Sequence, residues 1–287
     1  MQKKFFTDAY SEEESNVIAF GVPLGRKARE ALSSLRDTSW FIEFFDVDKR
    51  KNLMENARIF DKGNLEINNY DEMEKISQVV KEITAQGKIP FAIGGGHLTS
   101  YYTAKEFSPD TKIIVFDCHA DMKDSYLDEK MVAIDFISDD IKLSPTVNDT
   151  TWARRLSEKI NPENIFLLGL RSFDEDDLKY MEEKKVHFVT ANDLKRNMHE
   201  IRTALWEFTK DSNVYLSLDI DVFDPSIAPA VDHPEPNGIT FGDFQNLLQD
   251  INGKIVGLDL CCLKPIPENE VTEFLAVRSV FEILGKI

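Results

Sequence analysis

Six side chains in three short stretches have the types and spacing to hold divalent cations. The stretches are G-G-G-H at 94–97, D-C-H-A-D at 117–121 and S-L-D-I-D at 217–221. Each follows a run of apolar, β-branched residues. Asp117, His119 and Asp121 recur at period two, as do Asp219 and Asp221, and alternate side chains of an extended chain share a face. These acids and His119 can therefore converge while Cys118 and Ala120 point elsewhere. His97 comes after glycines that let the backbone turn sharply. Four carboxylates and two imidazoles with no Lys or Arg between them repel one another at close range. Either their pKa values rise or cations fill the site. Oxygen-rich ligands with a few imidazoles suit Mn²⁺ better than a tetrahedral structural zinc. Six ligands are too many for one ion that also binds water, and they suit two ions sharing carboxylates. Any one stretch alone is weak, because a strand-end Asp is usually a cap or turn former. The coincidence of three points to metal.

The elements that must position these residues are legible as short apolar runs at 16–22, 89–95, 112–117, 164–170, 186–190, 213–219 and 254–260. Between them lie stretches at helical spacing, such as 71–86, where Met73, Ile76, Val79, Val80 and Ile83 make one apolar face. Others are 200–209, 241–251 and 268–284. Continuous apolar strands alternating with helices predict an α/β fold with a mostly parallel, doubly wound sheet. In such sheets ligands bind beyond the carboxyl ends of the strands, where the three stretches fall. No repeat or Gly/Pro/Ser-rich linker interrupts the chain, so one domain is expected over 1–287. Residues 26–65 are the least readable, and the aromatic F-I-E-F-F at 41–45 is read as core or subunit contact rather than chemistry.

Composition narrows the partners. The formal charge is −17 on 287 residues, a surface that repels nucleic acid and anionic membranes and favours a cationic substrate. Such a balance also serves solubility alone. The N-terminus lacks a signal-peptide pattern, and no apolar run approaches the ~20 residues of a membrane span. Cys118, Cys261 and Cys262 make neither a disulfide framework nor zinc spacing, so a cytoplasmic location is expected.

With these residues in view, the chain resembles the ureohydrolase family, which includes arginase, agmatinase and formimidoylglutamase. G-G-G-H-L-T-S (94–100), D-C-H-A-D (117–121) and S-L-D-I-D-V-F-D-P-S-I-A-P-A (217–230) match its three signature blocks in order and spacing. Weaker agreement lies in G-V-P-L (21–24), L-G-L-R-S (168–172) and D-L-C-C-L-K-P (259–265). The likeness runs from about residue 16 to the C-terminus and is closest to archaeal agmatinase-like members. It implies a three-layer αβα sandwich and two Mn²⁺ ions per chain. One ion would take His97, Asp117, Asp121 and Asp219, the other His119, Asp117, Asp219 and Asp221, with Asp117 and Asp219 bridging. A water activated between the ions would attack a guanidinium carbon, with Asp121 holding it, and urea would leave. A small cationic guanidino-type substrate and a homo-oligomer, trimer or hexamer, are implied as well.

Three departures surround the substrate and none touches the metals. The family's histidine-bearing S-H or H-G element falls at Ala133 by alignment, and no histidine lies between His119 and His187. The family's glutamate in D-x-x-E is Cys262. Its G-x-R-x-x-P element is not evident in G-R-K-A-R-E-A-L (25–32). His233, beside Asp232 and Glu235, is the candidate substitute proton carrier, on the general aptness of histidine for that task. Cys262 could be a nucleophile, but the neighbouring Cys261 and an apolar strand favour a buried, inert thiol there. Asp124, Asp128 and Asp135 read as loop solvation. The alternative to a C–N hydrolase is a metal-loaded, silent partner or regulatory subunit. Phosphoester hydrolysis is disfavoured by the scarcity of Lys and Arg near the motifs, Lys123 being the nearest.

Overall fold

The protein is described by a computed structural model over residues 4–5, 10–126 and 144–287. Strands β1 (Val17–Gly21), β4 (Ile59–Asn64), β5 (Ile89–Ile93), β6 (Lys112–Phe116), β7 (Ile165–Leu170), β8 (His187–Thr190), β9 (Asn213–Asp219) and β10 (Lys254–Cys261) form one sheet; β2 (Phe45–Asp46) and β3 (Lys51–Asn52) pair apart from it. The order across the large sheet is β4-β1-β5-β10-β9-β6-β7-β8, and neighbours are parallel throughout. The helices are α1 (Arg26–Thr38), α2 (Glu74–Ala85), α3 (Leu98–Ala104), α4 (Trp152–Ser157), α5 (Glu175–Lys184), α6 (Ala191–Thr209), α7 (Phe241–Gln249) and α8 (Val271–Leu284).

Strand alternation divides the interior into two cores. β1 sends Val17 and Ala19 to one face and Ile18 and Phe20 to the other; β6 does the same with Ile114 and Phe116 against Ile113 and Val115. Leu32 of α1, Leu205 of α6, Phe244 of α7 and Phe281 of α8 cover the first face. Ile76 of α2, Leu98 of α3, Leu156 of α4 and Met181 of α5 cover the second. This is the three-layer, doubly wound α/β sandwich that pattern and resemblance predict. Both sheet faces are dry, which is why the strands read as continuous apolar runs. Truncating a fully buried ring such as Phe116 to Ala costs about 3–5 kcal/mol.

Residues 26–65 contain what the sequence reading misses. β4 (I-F-D-K-G-N) is an edge strand carrying Asp61 and Lys62, and edges tolerate such charges. Asp61 is fully buried and takes a bidentate pair of bonds from Arg36 of α1, at 2.7 and 3.1 Å. The aromatic stretch divides. Phe44 packs edge-on against Phe281 at 5.4 Å, while Trp40, Phe41, Phe45 and Val47 are exposed. Among the described residues no helix is long and apolar enough to cross a membrane.

Candidate metal centre

The sheet order places β5, β10, β9 and β6 side by side, so the three predicted stretches leave the sheet on one edge. His97 sits just past β5, Asp117, His119 and Asp121 follow β6, and Asp219 and Asp221 close β9 and the turn after it. All six converge. His97 Nδ1 lies 2.8 Å from Asp117 Oδ2, 3.3 Å from Asp219 Oδ2 and 3.5 Å from Asp121 Oδ2. His119 Nδ1 lies 3.0 Å from Asp221 Oδ2 and 3.6 Å from Asp117 Oδ1. Backbone amides hold the carboxylates in place: His119 N–H donates to Asp117 Oδ1, Asp221 N–H to Asp219 Oδ1 and Cys118 N–H to Asp221 Oδ1.

The glycines act through space rather than through torsion. Among the described residues Gly94, Gly95 and Gly96 are not at positive φ, so the sharp-turn argument does not hold for them. A Cβ on Gly96 would stand 2.4 Å from both carboxylate oxygens of Asp149. One on Gly95 would stand 2.7 Å from the Ala28 methyl. The run is glycine because a helix and a carboxylate press against it. Left-handed backbone occurs instead at Asp121 (φ 51°) and Cys262 (φ 68°). Aspartate tolerates that region; for cysteine it is uncommon.

Electrostatics couple the acids and imidazoles of the cluster. Burial, and then the charges of Asp221 and Asp117, hold Asp219 well above the usual carboxylate range. Burial and Asp117 push Asp121 up to about 6. Burial opposes ionisation of Asp117, yet His97 and His119 overcome it and hold that carboxyl low. His97 is itself held well above its ordinary value, because Asp117, Asp121 and Asp219 outweigh its burial. Carboxylates competing for the protons of two imidazoles are groups arranged for positive charge.

A tautomer follows from the chain beneath. Ser217 Oγ donates to Asp259 Oδ1 at 2.9 Å, so it accepts from His97 Nε2, also at 2.9 Å. Tyr215 O–H donates to the other oxygen of Asp259. In the neutral ring, the form that binds a metal, the proton on Nε2 leaves Nδ1 as a lone pair facing the acids. His97 Nδ1 and Asp117 Oδ2 are both buried without a hydrogen-bond partner. With the ring neutral, both atoms are buried acceptors that carry a desolvation cost, and a shared divalent cation removes it. The donor set fits a metal pair. Asp117, His119 and Asp221, with the Cys118 sulfur, form one group whose ligand atoms lie within 4.8 Å of one another. His97 with Asp117 and Asp121, and His97 with Asp219 and Cys262, form others.

A cavity of about 270 Å³ opens over the cluster and is lined by His97, His119, Asp121, Asp219 and Asp221. His233, the predicted proton carrier, lines it too, with its ring 5.9 Å from that of His119 and edge-on to it. Its loop is tied down by Arg171, whose guanidinium donates to the carbonyls of Asp221, Phe223 and Glu235. Asp232 pairs with Lys27 and Lys264 at 3.2 and 3.0 Å. Lys123 pairs with Asp174 and Asp177. More lysine thus reaches the cavity than the motifs suggest, although these three each meet a carboxylate. Asp124 is exposed and pairs with Arg154 and Arg155. Ala133, Asp128 and Asp135 lie outside the described residues.

Four residues escape the sequence reading. Trp152 donates from Nε1 to Asp121 Oδ2 at 2.7 Å and lays its ring 4.3 Å from that of His97. Ser217 and Asp259 lie inside quoted motifs, but their relay to His97 is a cross-strand contact. Asp149 lines the cavity, its Oδ1 accepting from the Leu98 amide at 2.7 Å. Burial raises its pKa, against that hydrogen bond and the charge of Lys264. Its mount is stiff, because Asn148 donates to the carbonyls of Tyr126 and Ser144 and accepts from Thr150. The cysteines also diverge from expectation. Cys261 is buried, whereas Cys262, expected to be the buried thiol, turns into the cavity. Cys118 does not point away: its sulfur lies 3.2 Å from His119 Nδ1, because the extended alternation ends with β6 at Phe116.

Comparison with known proteins decides the family. The arginase family model matches residues 16–285. The chain belongs to the arginase family. It is accordingly a hydrolase of C–N bonds with an arginase-like α/β fold. An agmatinase of Halalkalibacterium halodurans is 27% identical over 303 residues, covering 98% of this chain and 96% of its own. An agmatinase of Pyrococcus horikoshii is 24% identical, covering 93% and 84%. The agmatine ureohydrolase of Thermoplasma volcanium superposes with a TM-score of 0.84 at 24% identity, covering 99% and 93%, a likeness that bears on the fold.

Proposed function

We propose that this arginase-family chain hydrolyses a guanidino compound, agmatine or a near relative, to urea and an amine, using two divalent cations held by His97, Asp117, His119, Asp121, Asp219 and Asp221. One observation carries the reading. His97 Nδ1 and Asp117 Oδ2 are buried, unpartnered and 2.8 Å apart within six converging ligand types, beneath a cavity of substrate size. The pair of ions, Mn²⁺ by the oxygen-rich donor set, would acidify a water to a nucleophile near neutral pH.

The chain's own residues supply the rest. Trp152 fixes the Asp121 carboxylate, so that its free oxygen can orient the attacking water. Asp149 offers a carboxylate to a cationic head group, on the side where Cys262 offers none. His233, edge-on to His119, is placed to carry a proton to the leaving amine. The unpaired thiols Cys118, Cys261 and Cys262 suit a reducing cytoplasm. The exposed Trp40, Phe41, Phe45 and Val47 suit contact between copies in a homo-oligomer. One folding unit spans 1–287 in this reading.

A second reading, a metal-loaded but silent subunit, is favoured by the thiol at Cys262 in place of the family's glutamate. A urea-release assay with Mn²⁺ across agmatine, arginine, guanidinobutyrate and formiminoglutamate separates the two. Turnover of agmatine or guanidinobutyrate is expected. Silence on all four, with metal bound, would leave the second reading standing.

A further inference from the structure

The metal-pair reading uses oxygen and imidazole ligands alone, yet the cavity holds a sulfur that it leaves idle. Cys262 lies one residue past β10, in left-handed backbone at φ 68°. Its N–H donates to the Gly95 carbonyl at 2.7 Å, which ties it to the strand end that delivers His97. A non-glycine residue in that conformation is strained, and such strain persists where the surroundings enforce it. Here it turns the side chain off the strand and into the cavity. The sulfur then joins His97 and Asp219 in a group whose ligand atoms lie within 4.8 Å of one another. His97 contributes the buried, unpartnered Nδ1 to this place.

We propose that Cys262 is a metal ligand on the His97 side of the centre, so that this position prefers a thiophilic ion of the zinc, cobalt(II) or iron(II) class over Mn²⁺. The proposal rests on the metal-pair reading and changes its donor set. Coordination exchanges the S–H bond for a sulfur–metal bond, and the proton leaves to solvent. Thiolate softness selects the ion; the His119 side, with Asp117 and Asp221, keeps the harder preference. The other two thiols are less suited. Cys261 is fully buried and faces Asp259 and Ser100. The Cys118 sulfur stands 3.2 and 3.5 Å from the two ring nitrogens of His119, beside the ring rather than along either lone pair.

The test is the absorption spectrum of the full chain loaded anaerobically with cobalt(II), with bound metal measured on the same samples. A sulfur-to-cobalt charge-transfer band in the near ultraviolet is expected in the natural protein and in Cys118→Ser. It is expected to vanish in Cys262→Ser and in Cys262→Asn, the latter a residue at home in left-handed backbone should serine perturb folding. Competition between equimolar Zn²⁺ and Mn²⁺ should leave zinc on the natural protein and shift toward manganese in both Cys262 variants. Cobalt bound with no such band, or a band that survives in Cys262→Asn, overturns the proposal and leaves the metal pair intact. Failure of the natural protein to bind any cobalt, zinc or manganese overturns both.

Discussion

The floor of the cavity and its wall are built on different terms. The floor is six ligand-type residues, delivered by three strand ends and fixed by backbone amides, a serine–aspartate relay and a tryptophan. All six converge at one end of the sheet. The wall has Cys262 where the resemblance expects glutamate, Asp149 on a loop the motifs do not cover, and His233 on a loop held by Arg171. Strand ends are positioned by the whole sheet, so a misplaced floor residue would disturb packing on both faces. Wall residues sit on loops, where a side chain can change without moving the scaffold. The difference teaches that the sheet fixes the six ligand types while the loops around them, Cys262 included, are free to vary.

The largest expected effect breaks the floor. Asp117→Asn removes a charge shared between His97 and His119 and should lower turnover on the order of 10³-fold, the rate equivalent of several kcal/mol of lost cation stabilisation. A loss of less than tenfold, measured in a metal-saturated assay, would mean that Asp117 holds no ion. Next comes the support beneath. Ser217→Ala breaks the relay from Asp259 to His97 Nε2 and should weaken metal affinity by about 10–100-fold, as outer partners of metal histidines do. Titration with a chelator reads this, and an unchanged affinity would assign the relay to packing alone.

The wall is sharpened by Asp149→Asn. The loss of a charge-assisted hydrogen bond of about 1.5–3 kcal/mol should cut kcat/KM for a guanidinium substrate by about 10–100-fold. Metal content should be unchanged, which separates wall from floor. Equal loss of metal would place Asp149 on the floor instead.

The smallest effect is thermal. Without metal, Asp121 is held at about 6 and His97 and His119 above their ordinary values, so across this range the folded state binds more protons than the unfolded. Their stabilisation is complete below the unfolded pKa values and is lost as pH rises through the folded ones. Asp117 is shifted the other way, but it is fully ionised in both states above pH ~6. The melting temperature of metal-free protein should therefore fall between pH 6 and 9, and added Mn²⁺ should raise it more at the alkaline end. A metal increment independent of pH would contradict this cluster as the binding site.

How much of this is legible in sequence follows the same division. The strands that carry ligands are buried on both faces, so their apolar runs stand out and their ends lie within two residues of the reading. The ligands stand out because acids and histidine interrupt those runs. β4 does not stand out, because an edge strand can carry Asp61 and Lys62. Asp149 and Trp152 are invisible for another reason. Their meaning lies in contacts with Leu98, Gly96, Asp121 and His97, between 31 and 55 positions away, and neither residue belongs to a periodic pattern. The glycine run is legible as special, but its cause, the closeness of Ala28 and Asp149, is not.

The most direct measurement is metal content. Full-length protein incubated with Mn²⁺, freed of excess by gel filtration and assayed by mass spectrometry, should carry about two ions per chain, following the two-ion chemistry, and Asp117→Asn markedly fewer. Folded natural protein that emerges with none, or a variant that retains the full complement, would contradict the account at its root.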